Sequence, residues 1–268
     1  MKCPICKKVT KRVNVQPEIY ICKQCKHSFS FIPKIKQEEY NEKYFTIKHK
    51  NWFSNPDYSL FNKFYKEIRR KKKENISLLD VGCGNGNFLR FLKNRDKNIN
   101  LTGIDFYENK DNNISYLKGN FLDRKIKQKF DVITCLAVLE HTNKPKEFIK
   151  KIHSLLKPKG LLLIMSINNK NILFSTIRLF KQTFMKQRYS KLYTHHLQHY
   201  SNFSLKKLLE RDFKVLFQQN RNCPLKSIDV KVENFLIRKL YLLSIWKILF
   251  FMRLFRSGLQ QIIICKKR

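Results

Sequence analysis

Apolar and polar residues follow a repeating arrangement from residue 76 to residue 268. Short apolar runs of strand length alternate with segments in which apolar residues return every three or four positions, the spacing of one helix face. The runs that predict strands cover residues 76–81, 99–105, 114–117, 130–136, 161–167, 213–217 and 261–265. Such alternation builds a parallel sheet with helices on both faces. We therefore predict an α/β domain over residues 76–268.

The first 25 residues are marked by cysteines rather than by an apolar pattern. Cys3 and Cys6 form one C-x2-C pair, and Cys22 and Cys25 form a second pair after fifteen residues. Each pair can wrap a tight turn that directs two thiolates at one ion, and two such turns complete a tetrahedron. About thirty residues bury too little apolar surface to fold without such a staple. We predict a small N-terminal zinc ribbon over residues 1–32, and we expect the nearby His27 to be a solvated loop residue rather than a ligand.

The zinc ion predicted for this ribbon has a structural role. Four thiolates leave no open coordination position for a substrate, whereas catalytic zinc keeps one. The alternatives are a redox pair or a chance pairing of cysteines, and two evenly spaced pairs argue against both.

Residues 33–75 connect the ribbon to the α/β domain and interleave aromatic with charged residues. We predict that this linker forms helical material that caps the domain. Inside the domain we expect a lid-like insertion over about residues 168–200 and an apolar, basic helix over about residues 232–256. We interpret this helix as a lid or a dimer face, with a helix that lies in a membrane interface as the alternative.

The charge of the chain is strongly positive, with 56 Lys and Arg against 20 Asp and Glu and a net charge of +36. Lys, Asn, Phe and Ile have AT-rich codons, so part of this excess reflects codon bias and is weak evidence for nucleic-acid binding. Such a surface still attracts polyanions, phosphorylated molecules and anionic lipid headgroups. The chain shows neither an N-terminal apolar leader nor a spanning apolar stretch. We expect a cytoplasmic protein, with peripheral contact at the inner face of the membrane left open.

A glycine-rich turn follows the first predicted strand. Gly82, Gly84 and Gly86 lie directly after Asp80, and glycine lets a backbone turn sharply and approach a ligand closely. No Lys-Ser or Lys-Thr pair follows, which excludes a nucleoside-triphosphate loop. Asp105 ends the next strand 21 residues after Gly84, where a carboxylate can bind both ribose hydroxyls of a nucleotide-like cofactor.

Several segments together resemble the motifs of class I S-adenosylmethionine-dependent methyltransferases. They are Leu-Asp-Val-Gly-Cys-Gly-Asn-Gly at 79–86, Gly-Ile-Asp at 103–105, Lys-Gly-Asn-Phe at 118–121, and the segments 130–141 and 156–164. The resemblance covers residues 76–268 and implies a Rossmann-like, seven-stranded, mostly parallel sheet that binds S-adenosylmethionine. The cofactor-binding residues that it implies are Asp80, Gly82, Gly84, Gly86, Asp105, Asn120 and Phe121. The family usually has Asp at the position of Asn120, although an amide can also bond the adenine edge.

Methyl transfer to oxygen benefits from a general base with a pKa near neutrality, which is usually histidine. His141 follows the fourth predicted strand at the edge of the sheet where ligands bind. His195, His196 and His199 form a cluster in the segment that faces the acceptor in the family that this chain resembles. The sequence does not choose among these four histidines, and a structural role is the alternative for each.

The resemblance implies an enzyme of the methyltransferase class. The ribbon, linker and core together are most similar to bacterial enzymes of sugar, surface-glycan or natural-product pathways, and the core itself also resembles ubiquinone-pathway O-methyltransferases. We expect O-methylation of a small hydroxylated or lipid-linked acceptor, such as a sugar, a glycan or a quinol. One alternative is an RNA methyltransferase that uses the ribbon and the basic surface to bind nucleic acid. Another is a scaffold that retains the cofactor fold without turnover.

Overall fold

The computed structural model describes residues 1–13, 18–30, 41–72, 74–109, 111, 113–179, 196–230, 232 and 234–268. The strands are β1 Lys11–Val13, β2 Ile19–Cys22, β3 His27–Ser30, β4 Ile76–Val81, β5 Ile99–Asp105, β6 Ser115–Lys118, β7 Phe130–Leu136, β8 Leu156–Ile167, β9 Gln198–His199, β10 Phe213–Arg221 and β11 Gln260–Lys267. The helices are α1 Lys50–Ser54, α2 Tyr58–Lys71, α3 Asn87–Arg95, α4 Pro145–Leu155, α5 Ile172–Leu179, α6 Asn202–Leu209 and α7 Phe235–Leu254. A π-helical turn covers Tyr44–Lys48, and 3-10 turns cover Leu139–His141 and Leu225–Ser227.

The central sheet has seven strands in the order β10-β11-β8-β7-β4-β5-β6. Strands β6, β5, β4, β7 and β8 pair in parallel, and β11 pairs antiparallel with both β8 and β10. This arrangement confirms the predicted α/β fold with a mostly parallel, seven-stranded sheet. Strand β10 extends to Arg221, four residues past its predicted end, because its register with β11 continues to the pair Arg221–Gln260.

Helices cover both faces of the sheet and bury apolar side chains on each. Helices α2 and α3 supply one face, where Phe64, Ile68 and Leu89 are fully buried. Helices α4 and α6 supply the other face with buried residues such as Ile152 and Leu205. Strands β4 and β7 lie between these layers, so most of their side chains are apolar, as expected for a buried parallel sheet.

The N-terminal ribbon forms a second, antiparallel sheet in the order β1-β2-β3-β9. Its last strand, β9, comes from the segment before α6 and pairs with β3 through Ser28–His199 and Phe29–Gln198. Cys3, Ile5, Cys22 and Cys25 lie in the same apolar cluster as α4 and α6. The ribbon therefore shares its core with the central domain.

Helix α7 follows β10 and precedes β11 along the chain, and most of its surface is exposed. Met252 is its only buried residue. Within the part of the chain that the structure describes, no helix is long and apolar enough to cross a membrane. The predicted apolar, basic helix is thus present, whereas residues 180–195 of the predicted lid-like insertion lie outside the described residues.

Candidate active site

The glycine turn after β4 depends on backbone conformations and close contacts that only glycine allows. Gly82 has a φ of +69°, and a Cβ there would lie 2.2 Å from Val138 Cγ2. Gly84 has a φ of +55°, and its Cβ would lie 2.9 Å from Phe53 Cε1. Gly86, with a φ of +81°, is the residue from which α3 begins. The turn is therefore a backbone cradle at the carboxyl edge of the sheet, where ligands bind in open α/β folds.

Asp105 holds this cradle from the end of β5. One of its carboxylate oxygens accepts the backbone N–H of Gly84 at 2.8 Å, and the other accepts the N–H of Tyr107 at 3.1 Å. The side-chain amide of Asn109 donates to the Gly84 carbonyl oxygen at 2.6 Å. Burial raises the pKa of Asp105, and the two backbone donors act in the opposite direction. The predicted partners Gly84 and Asp105 are thus brought together.

Asp80 is a buried carboxylate at the end of β4. It is 2% exposed, and the hydroxyl of Thr134 on the neighbouring strand β7 donates to it at 2.6 Å. Burial raises the pKa of Asp80 to about 7, the Thr134 hydroxyl opposes that shift, and the nearby charge of Asp105 adds to it. Two neighbouring carboxylates resist ionising together, so the pair favours a positively charged ligand.

Asn120 and Phe121 follow β6 and differ in how they present their side chains. The side-chain Oδ1 of Asn120 accepts the backbone N–H of Leu122 at 3.0 Å. The side-chain NH2 of Asn120 is therefore the group that can contact a ligand. The Phe121 ring is 6% exposed and packs on Phe148 with 4.9 Å between ring centroids. The Phe121 side chain therefore belongs to the core, so any contact of this residue with a ligand would involve its backbone.

Aromatic residues from the linker lie over the glycine cradle. The rings of Phe45 and Phe53 lie 4.7 Å apart, and Phe45 lies 4.7 Å from the ring of Tyr107 next to Asp105. A cleft of about 310 Å³ opens between these rings and Asn85. The linker thus supplies an apolar wall to the candidate site.

His141 and His196 meet on the other side of the site. Their ring centroids lie 5.0 Å apart in an edge-on arrangement. His199 lies 6.5 Å from His196, but burial lowers the pKa of His199 to about 3. His195 lies outside the described residues. Of the candidate histidines that can be placed, His141 and His196 are half-buried and lie together, whereas His199 is only 4% exposed.

The turn that carries His141 is fixed to the sheet and to the histidine segment by Glu140. The Glu140 carboxylate accepts the Ile167 N–H at 3.1 Å and the Ser166 hydroxyl at 3.2 Å, both at the end of β8. The Glu140 backbone carbonyl accepts the N–H of Leu197 at 2.8 Å. Burial raises the pKa of Glu140 to about 7, because the carboxylate is only 1% exposed. Glu140 therefore joins the two histidine-bearing segments.

The ribbon holds the same segment from its opposite side. The Ser30 N–H donates to the Leu197 carbonyl at 2.9 Å, and the Ser30 hydroxyl donates to the His196 carbonyl at 3.1 Å. His27 Nε2 lies 2.9 Å from Gln198 Oε1, and the His27 ring lies 5.0 Å from that of Tyr200. The expectation that His27 is a solvated loop residue is wrong, because β3 is covered by β9 and the His27 side chain is completely buried.

The four predicted cysteine ligands come together in the ribbon. Their Sγ atoms all lie within 4.8 Å of one another, with 3.4 Å between Cys3 and Cys25 and between Cys6 and Cys22. Lys7 and Lys26, which directly follow the second cysteine of each pair, have φ values of 64° and 55°. Both pairs therefore lie in turns of the same kind. Four sulfurs at these separations fit a tetrahedral ion with metal–sulfur distances of about 2.3 Å.

Several residues that build the site were not singled out from the sequence. Thr134 lies inside an apolar strand, and only strand pairing places its hydroxyl against Asp80. Gln198 and Asn109 act through side-chain contacts across the fold. Phe45 and Phe53 belong to the aromatic linker whose capping role was expected, but their contact with Gly84 requires the structure.

Residues 56–216 match the family described as "Methyltransferase domain", which is more than half of the chain. The glycine cradle, the acidic end of β5 and the seven-stranded sheet lie in or around that range. The chain belongs to this methyltransferase domain family, as the sequence resemblance predicted.

Two curated relatives carry more specific names. A ubiquinone biosynthesis O-methyltransferase of Rickettsia bellii is 28% identical over 148 residues, which cover 47% of this chain and 61% of the relative. A mitochondrial ubiquinone biosynthesis O-methyltransferase of Saccharomyces cerevisiae is 28% identical over 181 residues, which cover 62% of this chain and 54% of the relative. This chain thus matches less than two thirds of the length of either relative.

A solved structure shows the same fold. A SAM-dependent methyltransferase from Archaeoglobus fulgidus superposes with a TM-score of 0.55 at 19% identity and covers 84% of this chain and 100% of its own. At this identity the likeness concerns the fold alone.

Proposed function

We propose that this chain is an S-adenosylmethionine-dependent methyltransferase that methylates an oxygen of a small hydroxylated or lipid-linked acceptor. The observation that carries the proposal is the contact between the Asp105 carboxylate and the Gly84 N–H, which fixes an acidic residue beside the glycine cradle. The family match and the names of the two relatives support the same class of reaction.

The residues present fit the cofactor. A carboxylate offers about four lone-pair positions, and backbone donors from Gly84, Tyr107 and Phe106 act on Asp105, which leaves a position for a ribose hydroxyl. The Asn120 NH2 is the group available to the adenine edge. Asp80 and Asp105 supply negative charge near a sulfonium cation. When bound, S-adenosylmethionine would supply an activated methyl group.

The chain's own groups would orient the acceptor and remove its proton. His141 and His196 are the candidates for the general base, because their half-buried rings lie 5.0 Å apart in the segment and turn that follow the sheet. His199 is a poor base near neutral pH, since burial lowers its pKa to about 3. Glu140 is a positioning residue that holds both histidine-bearing segments through its side chain and its backbone.

The ribbon would bind one structural Zn²⁺ ion through Cys3, Cys6, Cys22 and Cys25. Four Sγ atoms within 4.8 Å of one another support this proposal, and four thiolates leave no position for a substrate. The ion would stabilise β3, which pairs with strand β9 of the histidine segment.

A quinol is the acceptor that the relatives' names favour, with sugars and glycans as the other acceptors of this proposal. Peripheral contact with the inner face of a membrane would bring the site to a lipid-linked acceptor and stays a prediction. RNA methylation is a second candidate, supported by a cleft of about 530 Å³ beside the ribbon in which five cations outnumber the two carboxylates of Glu210 and Asp212; the cations are Lys146, Lys150, Lys207, Arg211 and Arg268. Binding to RNA would weaken steeply with salt, whereas methyl transfer to a neutral quinol would not.

Calorimetric titration with S-adenosylhomocysteine tests the cofactor site. We expect Asp105→Ala to weaken binding about a hundredfold, because the charged group that would accept the ribose hydroxyl is lost. Glu147→Ala removes an exposed carboxylate of α4 and serves as the matched control. Unchanged affinity in a folded Asp105→Ala protein would contradict the proposed ribose contact. Transfer of a labelled methyl group to quinols, sugars or RNA then identifies the acceptor class.

A further inference from the structure

Helix α7 presents an unusually apolar surface to solvent. Leu236, Leu240, Leu243, Phe250, Phe251 and Leu254 are each between 48% and 68% exposed. Twenty residues of α-helix measure about 30 Å, so these side chains form a long apolar strip. Exposed apolar surface on this scale marks an interaction site.

One face of α7 is anchored to the protein and defines which face is left over. Leu242, Ile245 and Leu249 are half-buried and Met252 is buried, at the three- and four-residue spacing of one helix face. The side-chain amide of Asn222 donates to the Leu249 carbonyl at 2.9 Å on this side. The apolar strip lies on the opposite face and points away from the domain.

The charges of α7 indicate what covers the strip. Residues 235–268 contain no Asp or Glu. By helical spacing Lys239 and Arg253 lie along one border of the strip, and Arg238 lies on the side of the anchored face. Trp246 and Tyr241 are 52% and 50% exposed, and such side chains favour the boundary between lipid and water. An apolar protein partner needs no cations, whereas a bilayer with anionic headgroups matches both the strip and its charged border.

Lys247 lies within the strip and is exposed. Its long aliphatic stem can lie along apolar surface while the ammonium group reaches the headgroups. This position is compatible with a helix that lies in the interface and not with one that crosses the bilayer, in line with the absence of a spanning helix among the described residues.

The strip lies at the edge of the sheet that carries the candidate active site. Gln260, which opens β11 after α7, pairs with Ile167 at the carboxyl end of β8. The Ser257 hydroxyl, just after α7, accepts the Ile172 N–H at 2.8 Å and so joins α7 to α5. Helix α5 continues the apolar surface with Leu179, which is 77% exposed. A bilayer that covers α7 would therefore lie near the mouth of the site.

We propose that α7, extended by α5, docks this protein on the surface of a bilayer that contains anionic lipids, with the helix parallel to the membrane plane. The binding itself is independent of methyl transfer. Its use, which is to bring the site to a lipid-linked acceptor, rests on the proposed function. The cations and the Trp246 and Tyr241 rings beside the strip favour a bilayer over the expected lid or dimer face.

Vesicle sedimentation of the full chain tests the docking without cofactor or acceptor. We expect wild-type protein to sediment with vesicles of phosphatidylcholine and phosphatidylglycerol, and to bind pure phosphatidylcholine or vesicles at raised salt more weakly. The double variant Leu240→Glu/Leu254→Glu should bind the anionic vesicles at least about tenfold more weakly, because two inserted side chains become charged. The matched control is Val9→Glu/Phe203→Glu, which makes the same change in charge at exposed apolar positions of the ribbon side.

Three results would overturn the docking surface. They are no sedimentation of wild-type protein with anionic vesicles, an equal loss in the control variant, and a wild-type dimer that the α7 variant converts to a monomer without any vesicle binding. Titration of both variants with S-adenosylhomocysteine distinguishes a failure of membrane docking from a failure of the proposed function, since we expect unchanged cofactor affinity in each variant. Loss of vesicle binding with intact cofactor affinity supports the docking surface.

Discussion

The ribbon and helix α7 are both additions to the central sheet. The ribbon buries its apolar residues, whereas helix α7 exposes most of its own. The ribbon buries Cys3, Ile5, Ile19 and Phe29, each 4% exposed or less, and shares its core with α4 and α6. Helix α7 buries Met252 alone. Apolar composition therefore does not distinguish a part that completes the fold from a part that is left for a partner, whereas the contacts around each side chain do.

This difference has an energetic meaning. Removing a buried side chain from the ribbon should lower the free energy of unfolding of the whole domain, because the ribbon and the domain share one core. Removing a side chain from the exposed strip of α7 should change stability little, because its contacts are with other exposed side chains such as Phe250 and Phe251. Substitutions in the ribbon and in α7 test that contrast.

Loss of one ribbon cysteine should have the largest effect. We expect Cys25→Ser to remove the bound zinc, which we predict at about one ion per chain, and to lower the melting temperature by about 10 °C or more, because metal binding supplies folding free energy. Cys223→Ser, at a half-buried cysteine outside the cluster, is the control. Metal analysis and thermal unfolding of both proteins provide the measurement. A metal-free wild-type protein with the same melting temperature as Cys25→Ser would show that the cysteines hold no ion.

A matched pair of phenylalanines compares the two regions directly. Phe29 in β3 is 2% exposed, and Phe251 in α7 is 59% exposed. We expect Phe29→Ala to lower the free energy of unfolding by about 3–5 kcal/mol and Phe251→Ala by less than about 0.5 kcal/mol. Urea unfolding measures both. Similar losses at the two positions would remove the distinction between a fused ribbon and an exposed helix.

Glu140 gives the smallest effect and a dependence on pH. Burial raises its pKa to about 7 in the folded protein from the ordinary value of 4.5, so the folded state holds a proton that the unfolded state has released. The stability that it contributes is complete below about pH 4.5 and is lost as the pH rises through about 7. Glu140→Gln, which cannot ionise, should gain up to about 3 kcal/mol relative to wild type between pH 5 and pH 8.

Urea unfolding of the wild type and the Glu140→Gln variant at both pH values measures that gain as a difference of differences. Glu147→Gln changes an exposed carboxylate of α4 and should show no such change with pH. An identical pH dependence for Glu140→Gln and wild type would mean that Glu140 is not protonated in the folded state near neutral pH.

Much of the fold could be predicted because its signals are local. Strands β4, β5 and β7 have the predicted bounds, since continuous apolar runs and the glycines after β4 mark a buried parallel sheet. The contact between Gly84 and Asp105 also follows from local logic, because neighbouring parallel strands end at the same edge. The four cysteines come together because their spacing encodes two similar turns.

The remaining features depend on contacts between distant parts of the chain. Burial of His27 requires β9, which is only two residues long and has no apolar signature of a strand. The position of His196 beside His141 depends on Ser30 and Glu140, which hold the segment from opposite sides. No periodicity in the sequence reports such a contact, so the four histidines could be named but not ranked.

The strand β9 also determines the order in which the chain can mature. His27 and Gln198 are separated by 171 residues, so on the ribosome the cysteine-bearing end emerges long before the strand that completes its sheet. An ion bound early would stabilise a three-stranded sheet of β1, β2 and β3 in which the β3 edge is still unpaired. Pairing of that edge with β9 must wait until most of the polypeptide has been synthesised. A nascent chain truncated before residue 198 would therefore expose an unpaired β3 edge, which is a template for association with other chains.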